Sequence, residues 1–275
     1  MIIGAWVGFV YAYLGGDSIY SIVNPDGREN KLYLTTFTNS KFANVIRPAG
    51  IFDEPGAFSF VICLIAAIRT LINKDTKVTW FMLITGLITF SLAHLVYIIF
   101  HFASEKLTIK KVAYLIPLLI VIMTVYKLSP LEEVVNITYV ERLTVVDGEL
   151  VGDNRSERTL TLAGYMSQDI PSIMWGINDV CINIMEMCVQ RYGYVGATVL
   201  TPIFRYGILV SLPYYMLIAF LLYRGIGNRK KYFLIGIALL LMQRPYLFAS
   251  GYAMLMLIPF YIEYNNENID NNSLL

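Results

Sequence analysis

The sequence predicts an all-α fold: a polytopic membrane helical bundle with two long extracytoplasmic loops, partly helical. Three observations predict it. Hydrophobic residues make up 57% of the 275 positions and charged residues only 15%, against about 25% charged in a soluble domain. Mean hydropathy is +0.59. The apolar residues are gathered into runs at 2–14, 56–72, 79–103, 112–126, 193–223, 232–243 and 246–263, separated by polar stretches at 15–54 and 127–171. A water-soluble chain of this length lacks the interior to hide so much apolar surface. The same composition excludes a disordered chain and a disulfide-stapled secreted domain. The formal net charge of +1 supplies no basic field for a polyanion, so no nucleic-acid partner is expected.

In chain order, residues 1–14 read as a partial or short membrane helix. MIIGAWVGFVYAYLGG has no charged leader and no small-residue cleavage site. It is shorter than the roughly 20 residues of a full span, so it reads as the end of a helix that begins upstream. Residues 15–54 form the first extracytoplasmic loop, and 55–126 hold membrane helices. Residues 127–192 form the large extracytoplasmic loop with an amphipathic helix at 172–191, where Ile173, Ile177, Val180, Ile184, Met187 and Cys188 recur at helical spacing. Residues 193–263 hold the last membrane helices, and 264–275 form a polar, frayed cytoplasmic tail.

The short connectors are basic: Arg69, Lys74 and Lys77; Lys106, Lys110 and Lys111; Arg224, Arg229, Lys230 and Lys231. The excess of Lys and Arg assigns all three to the cytoplasm. A single crossing by 79–103 contradicts that parity. Either one connector departs from the rule, or the run is a hairpin of two short arms turning near Ser91-Leu92-Ala93-His94. The hairpin is preferred, because a backbone break at membrane depth is tolerated where protein surrounds it. A second hairpin is expected at Gln243-Arg244-Pro245-Tyr246, where Pro interrupts the helix and Arg must snorkel or pair.

Cys63 reads as a small packed hydrophobe. Cys181 and Cys188 on one helix stand about 10 Å apart along the axis, too far for a disulfide. No metal-ligand spacing, phosphate loop or dinucleotide fingerprint occurs, so no metal and no cofactor is expected. His94 and His101 lie inside an apolar run and read as helix residues bonded to a hydroxyl or a backbone carbonyl.

The charged candidates lie elsewhere. Arg47-Pro48-Ala49-Gly50-Ile51-Phe52-Asp53-Glu54-Pro55-Gly56 stands at a helix entrance. Pro55 suits a first helical turn, and Glu54 is favoured by the helix dipole. A capped helix with an interfacial salt bridge is the plain alternative. In the large loop, Arg142, Arg155 and Arg158 fall within 17 positions. Their planar, permanently charged forks suit phosphate oxygens, although solvated pairs with neighbouring Glu explain them equally. Arg205 opens a long apolar run beside Pro202 and Gly207, and Arg244 precedes Pro245; each needs a partner or a polar cavity.

These motifs, in this order, resemble the bacterial O-antigen polymerase (Wzy) family of the O-antigen polymerase/ligase superfamily. The segment 47–56 is similar to that family's R-x-x-G-x-x-x-E-P element. Thr89-Phe90-Ser91 follows in the next apolar run, then Ser156-Glu157-Arg158 in the large loop, Ser172-Ile173-Met174-Trp175-Gly176-Ile177, Tyr206-Gly207-Ile208-Leu209, and Gln243-Arg244-Pro245. The resemblance covers residues from about 40 to 260. It departs from the family at Gly196-Ala197-Thr198, where many members carry a His-Asn pair.

The resemblance implies a metal-independent membrane glycosyltransferase of lipopolysaccharide biosynthesis, multi-pass in the bacterial inner membrane. Its substrate is an undecaprenyl-diphosphate-linked oligosaccharide, and its partners are the lipid bilayer and a chain-length regulator protein. Arg47, Arg142, Arg158 and Arg205 are the implied diphosphate contacts, with Arg155 and Arg244 as further candidates. Glu54 is either the base that receives the acceptor proton or the partner that orients Arg47. Transfer to lipid A-core by an O-antigen ligase is the alternative within the superfamily. A transporter of lipid-linked oligosaccharide is the alternative outside it.

Overall fold

The computed structural model describes residues 1–23, 28–42, 45–105, 136, 144–146, 149–150, 159–160, 162–164, 166, 170–176, 198–244 and 250–272. The chain divides into two compact units, Met1–Cys63 with Lys77–Gly152 and Leu64–Thr76 with Asp153–Leu275. These cut across the linear segments expected from the sequence, since 55–126 contributes to both.

The first unit opens with α1 (Ile2–Tyr13). Ala5, Gly8 and Ala12 share its buried face, while Ile3, Trp6, Val7 and Val10 on the other sides are exposed. The small face packs on a three-stranded antiparallel sheet in the order β1 (Tyr20–Val23), β2 (Glu29–Tyr33), β3 (Thr36–Thr38). Register is set by Tyr20 opposite Leu32 and by Tyr33 opposite Thr36, the latter across a two-residue turn in which Leu34 has φ 52°. A second hairpin pairs β4 (Lys41–Phe42) with β5 (Val45–Ile46). Ala12, Tyr33 and Ile46 form one small core, and Ala5, Phe58 and Ile62 form another that Phe52 and Met82 border.

The sheet leads into α2 (Pro55–Leu71). Pro55 occupies the first helical position, where its missing N–H costs nothing. The Glu54 carbonyl accepts from Ala57 N (3.1 Å) and Phe58 N (3.4 Å), so Glu54 sits at the cap position. At the other end Asn73 takes φ 53°, and Lys74 N reaches back to the Arg69 carbonyl at 2.8 Å, closing the helix in the left-handed manner that Asn tolerates.

The run 79–103 folds as two short helices, α3 (Thr76–Gly86) and α4 (Leu92–Ser104), joined by a 3₁₀ turn at Leu87–Thr89 and by Phe90 at φ 47°. They are antiparallel. Trp80 near the start of α3 meets the end of α4, donating from Nε1 to Glu105 Oε1 at 2.6 Å and packing edge-on to His101 at 5.2 Å. The end of α3 meets the start of α4, where His94 Nε2 bonds the Leu83 carbonyl at 2.8 Å. The expected hairpin is therefore present, with its break at Leu87–Ser91 rather than Ser91–His94. Its arms are about 17 and 20 Å long by helix rise, each short of a hydrocarbon core of about 30 Å. A short antiparallel pair follows, β6 (Val145–Val146) with β7 (Glu149–Leu150).

In the second unit, α5 (Ile170–Trp175) and α7 (Tyr232–Gln243) both pack on α6 (Thr201–Gly227). A 3₁₀ turn, Arg229–Lys231, links α6 to α7, and the chain ends in α8 (Ser250–Asn272). Tyr214 of α6 donates its hydroxyl to the Leu241 carbonyl of α7 at 2.5 Å. Glu263 of α8, 1% exposed, accepts from Arg224 Nε at 2.9 Å and from Lys231 Nζ.

The described residues depart from expectation at several points. The loop 15–54 carries five strands, and with β6–β7 the described chain is helical with β elements rather than all-α. Alternating β-type residues within that loop outweighed its polar composition. Within the expected tail, residues 264–272 continue α8, which runs through Asn272. One described helix, Thr201–Gly227, is long and apolar enough by length and composition to cross a membrane, whereas Ile2–Tyr13, Pro55–Leu71, Thr76–Thr89 and Leu92–Ser104 are shorter. By helix length alone a multi-pass bundle is not shown among the described residues. Residues 112–126 and most of the expected amphipathic helix at 172–191 lie outside the described residues.

Candidate functional site

Arg47 leaves the sheet directly after β5. Its backbone is fixed to the neighbouring strands: Arg47 N donates to the Ser40 carbonyl at 3.0 Å, and the Arg47 carbonyl accepts from Thr38 Oγ1 at 2.7 Å. The half-buried guanidinium reaches the break in the helical hairpin, giving Nε to the Thr89 carbonyl at 3.2 Å and Nη2 to the Phe90 carbonyl at 2.9 Å. A 3₁₀ turn running into a left-handed residue exposes carbonyls that no helix satisfies, and a planar fork with several N–H donors can bind two of them together.

Between Arg47 and Glu54 the chain turns at Gly50, φ +64°, whose N–H donates to Thr36 Oγ1 at 2.8 Å and whose carbonyl accepts from Phe37 N at 2.8 Å. That left-handed backbone is the reason for glycine, since a Cβ there meets the Phe58 ring only at an ordinary 3.5 Å. Glu54 at the helix entrance forms an ion pair with Arg28 at 3.4 Å, the carboxylate 19% and the guanidinium 42% exposed. Glu54 thus has an ion-pair partner in Arg28, 26 positions earlier, that the motif by itself does not announce.

His94, fully buried, ties α4 to α2 as well as to α3. Its Nδ1 lies 3.1 Å from Ser59 Oγ and 3.4 Å from Cys63 Sγ, residues one helical turn apart on α2. The Leu83 carbonyl can only accept, so Nε2 carries the proton and Nδ1 accepts from Ser59 or Cys63. The histidine is therefore bonded to a hydroxyl and a carbonyl, as its place in an apolar run suggested.

In the second unit, α6 is broken at Gly207, with φ 78° and ψ 167°. Only glycine populates that region readily. The break has a packing cause: a Cβ on Gly207 would stand 2.6 Å from the backbone carbon of Trp175, and one on Gly176 would stand 2.5 Å from the Arg205 carbonyl oxygen. Two backbones thus touch where Trp175-Gly176 crosses Arg205–Gly207. Arg205 itself is half-buried at this crossing. Arg244, 7% exposed, ends α7 and gives its N–H to the Leu240 and Leu241 carbonyls, so it lies inside the unit and not at an open lip.

The fold thus brings Arg47 and Glu54 into one unit with Thr89-Phe90, and Arg205 and Arg244 into the other with Trp175-Gly176. Arg142, Arg155 and Arg158 lie outside the described residues. Sequence reasoning missed Arg28 and Glu263. A signal for the first existed: Pro25-Asp26-Gly27 is a hairpin signature in the sequence, and Arg28 follows it directly before β2 (Glu29–Tyr33). No family model, no curated protein and no solved structure matches the chain.

Proposed function

We propose that the chain is a membrane polysaccharide polymerase that joins undecaprenyl-diphosphate-linked oligosaccharide repeat units at the outer face of the bacterial inner membrane. One observation carries the reading. Motif pieces noticed only as an ordered series along the sequence meet in space: the Arg47–Pro55 element meets Thr89-Phe90 through the guanidinium, and Trp175-Gly176 meets Tyr206-Gly207 backbone to backbone. Chance matches scattered over a long chain carry no such expectation.

In the proposed reaction an acceptor hydroxyl oxygen attacks the anomeric carbon of the donor glycan. The bond from that carbon to the lipid diphosphate breaks, and the diphosphate leaves with the electron pair. The hydroxyl proton passes to a carboxylate, for which Glu54 is the candidate, held in place by Arg28. Charge developing on the leaving diphosphate is stabilised by guanidinium groups, each such contact contributing about 2–4 kcal/mol when preorganised. Arg142, Arg155, Arg158, Arg205 and Arg244 are the candidates for that role. Arg47, engaged with two carbonyls, acts by positioning the element that carries Glu54.

Complementation of a strain lacking the gene tests this. Glu54→Gln and Arg158→Ala are expected to abolish long-chain polysaccharide while the protein remains in the membrane. Normal chain length in either variant removes that residue from the site. Accumulation of single repeats in the parent strain supports polymerisation, whereas full-length chains left on undecaprenyl diphosphate identify a ligase and overturn the proposal.

A further inference from the structure

The strands of the first unit carry a groove of about 360 Å³, of whose lining residues only Arg28 enters the reaction described above. Its volume lies in the lower part of the range of small-molecule sites, about 300–1,000 Å³. Among the described residues, three cations, Arg28, Lys31 and Lys41, line it against one carboxylate, that of Glu29. Lys31 is paired with Glu29 at 3.4 Å, and the Lys41 ammonium stands over the Tyr33 ring at 5.3 Å from its centroid. Asn39 adds an amide able to donate and to accept, which suits sugar hydroxyls.

The groove is joined to the Arg47–Glu54 element in two ways. The carbonyl of Ser40, a lining residue, accepts from Arg47 N at 3.0 Å, and Thr38, another, donates to the Arg47 carbonyl at 2.7 Å. Arg28, also in the lining, is an ion-pair partner of Glu54. We infer that this groove binds an acidic saccharide, a sugar bearing a carboxylate, and that its occupancy is coupled to Glu54 through Arg28. The inference rests on the proposed glycan chemistry, and it adds the substrate class and the surface that receives it. Positive charge exceeds negative around the groove, so a neutral glycan gains hydroxyl contacts alone while an acidic one adds charge-assisted bonds. A carboxylate in the groove competes with Glu54 for Arg28.

The test uses the full chain in nanodiscs with tetragalacturonate and, as the uncharged counterpart, maltotetraose, read by titration calorimetry. Tetragalacturonate is expected to bind at least about tenfold more tightly, the equivalent of one charge-assisted hydrogen bond. Its affinity is expected to fall on raising salt from about 0.05 to 0.5 M. The double variant K31Q/K41Q should weaken it by about tenfold or more, and K31R/K41R should keep it. Arg28→Gln should weaken it as well, which gives a reading should the double variant misfold by circular dichroism. Equal affinity for the two sugars, no binding of either, or unchanged affinity in the glutamine variants overturns the inference. No lipid-linked substrate enters this measurement, so failure of the polymerase proposal registers separately in the complementation assay.

Discussion

Replacing Arg47 with Ala separates two roles that the sequence leaves merged. In the structure the guanidinium closes the hairpin break by donating to the carbonyls of Thr89 and Phe90 at 3.2 and 2.9 Å. Hydrogen bonds from a charged group contribute roughly 1.5–3 kcal/mol each, and half-burial places these near the lower end. Losing both costs about 3 kcal/mol. For a chain of this size that lowers the unfolding midpoint by about 6–12 °C. Trp6, whose Nε1 donates to the Thr85 carbonyl, and Trp80 on α3 report on this hairpin, so thermal unfolding in detergent followed by tryptophan emission is the suitable assay. Arg47→Lys keeps the charge but replaces a planar fork by a point donor, and should recover less than half of the loss. On the proposed function, polysaccharide synthesis in cells should fall with stability and return in part at lower growth temperature. An Arg47→Ala protein with the parent midpoint and emission, yet devoid of polymer, would refute this reasoning and return Arg47 to direct contact with substrate.

Gly207→Ala should destabilise the second unit by about 3 kcal/mol or more, since it adds backbone strain of about 1–3 kcal/mol to a collision with Trp175; membrane yield and unfolding midpoint check it. Gly227→Ala, where an added Cβ meets nothing within 4 Å, is the matched control and should be nearly silent. Nitrogen NMR of labelled protein should find His94 neutral with its proton on Nε2, as the Leu83 carbonyl requires; an Nδ1-protonated ring would contradict the pairing. Glu263→Gln leaves Arg224 and Lys231 facing an uncharged amide and should lower stability by about 3 kcal/mol, read as an earlier unfolding midpoint.

Some of this architecture was already determined by the linear order of residues. Pro55 at a helix entrance and a discontinuity at Gly207 follow from φ/ψ limits that a proline or a glycine imposes locally, and a break in the run 79–103 follows from the basic connectors on either side of it. The apolar content of the runs likewise needs no fold to be recognised. The strands of 15–54 were legible too, in the hairpin signature at Pro25-Asp26-Gly27 and in alternating Tyr, Ile and Val, yet a reading built on membrane runs treats every polar stretch as a loop.

Pairing across distance belongs to the tertiary structure alone. Arg47 finds carbonyls 42 and 43 positions away, Glu54 finds Arg28 26 positions away, and Glu263, next to the polar tail, becomes the buried partner of two cations. A guanidinium or a carboxylate in sequence announces only that a partner is required. Which partner it meets depends on which helix ends and strand edges the packing of small residues brings together. For Arg28, Lys31 and Lys41, the packing of the two hairpins turned three scattered cations into the lining of one groove.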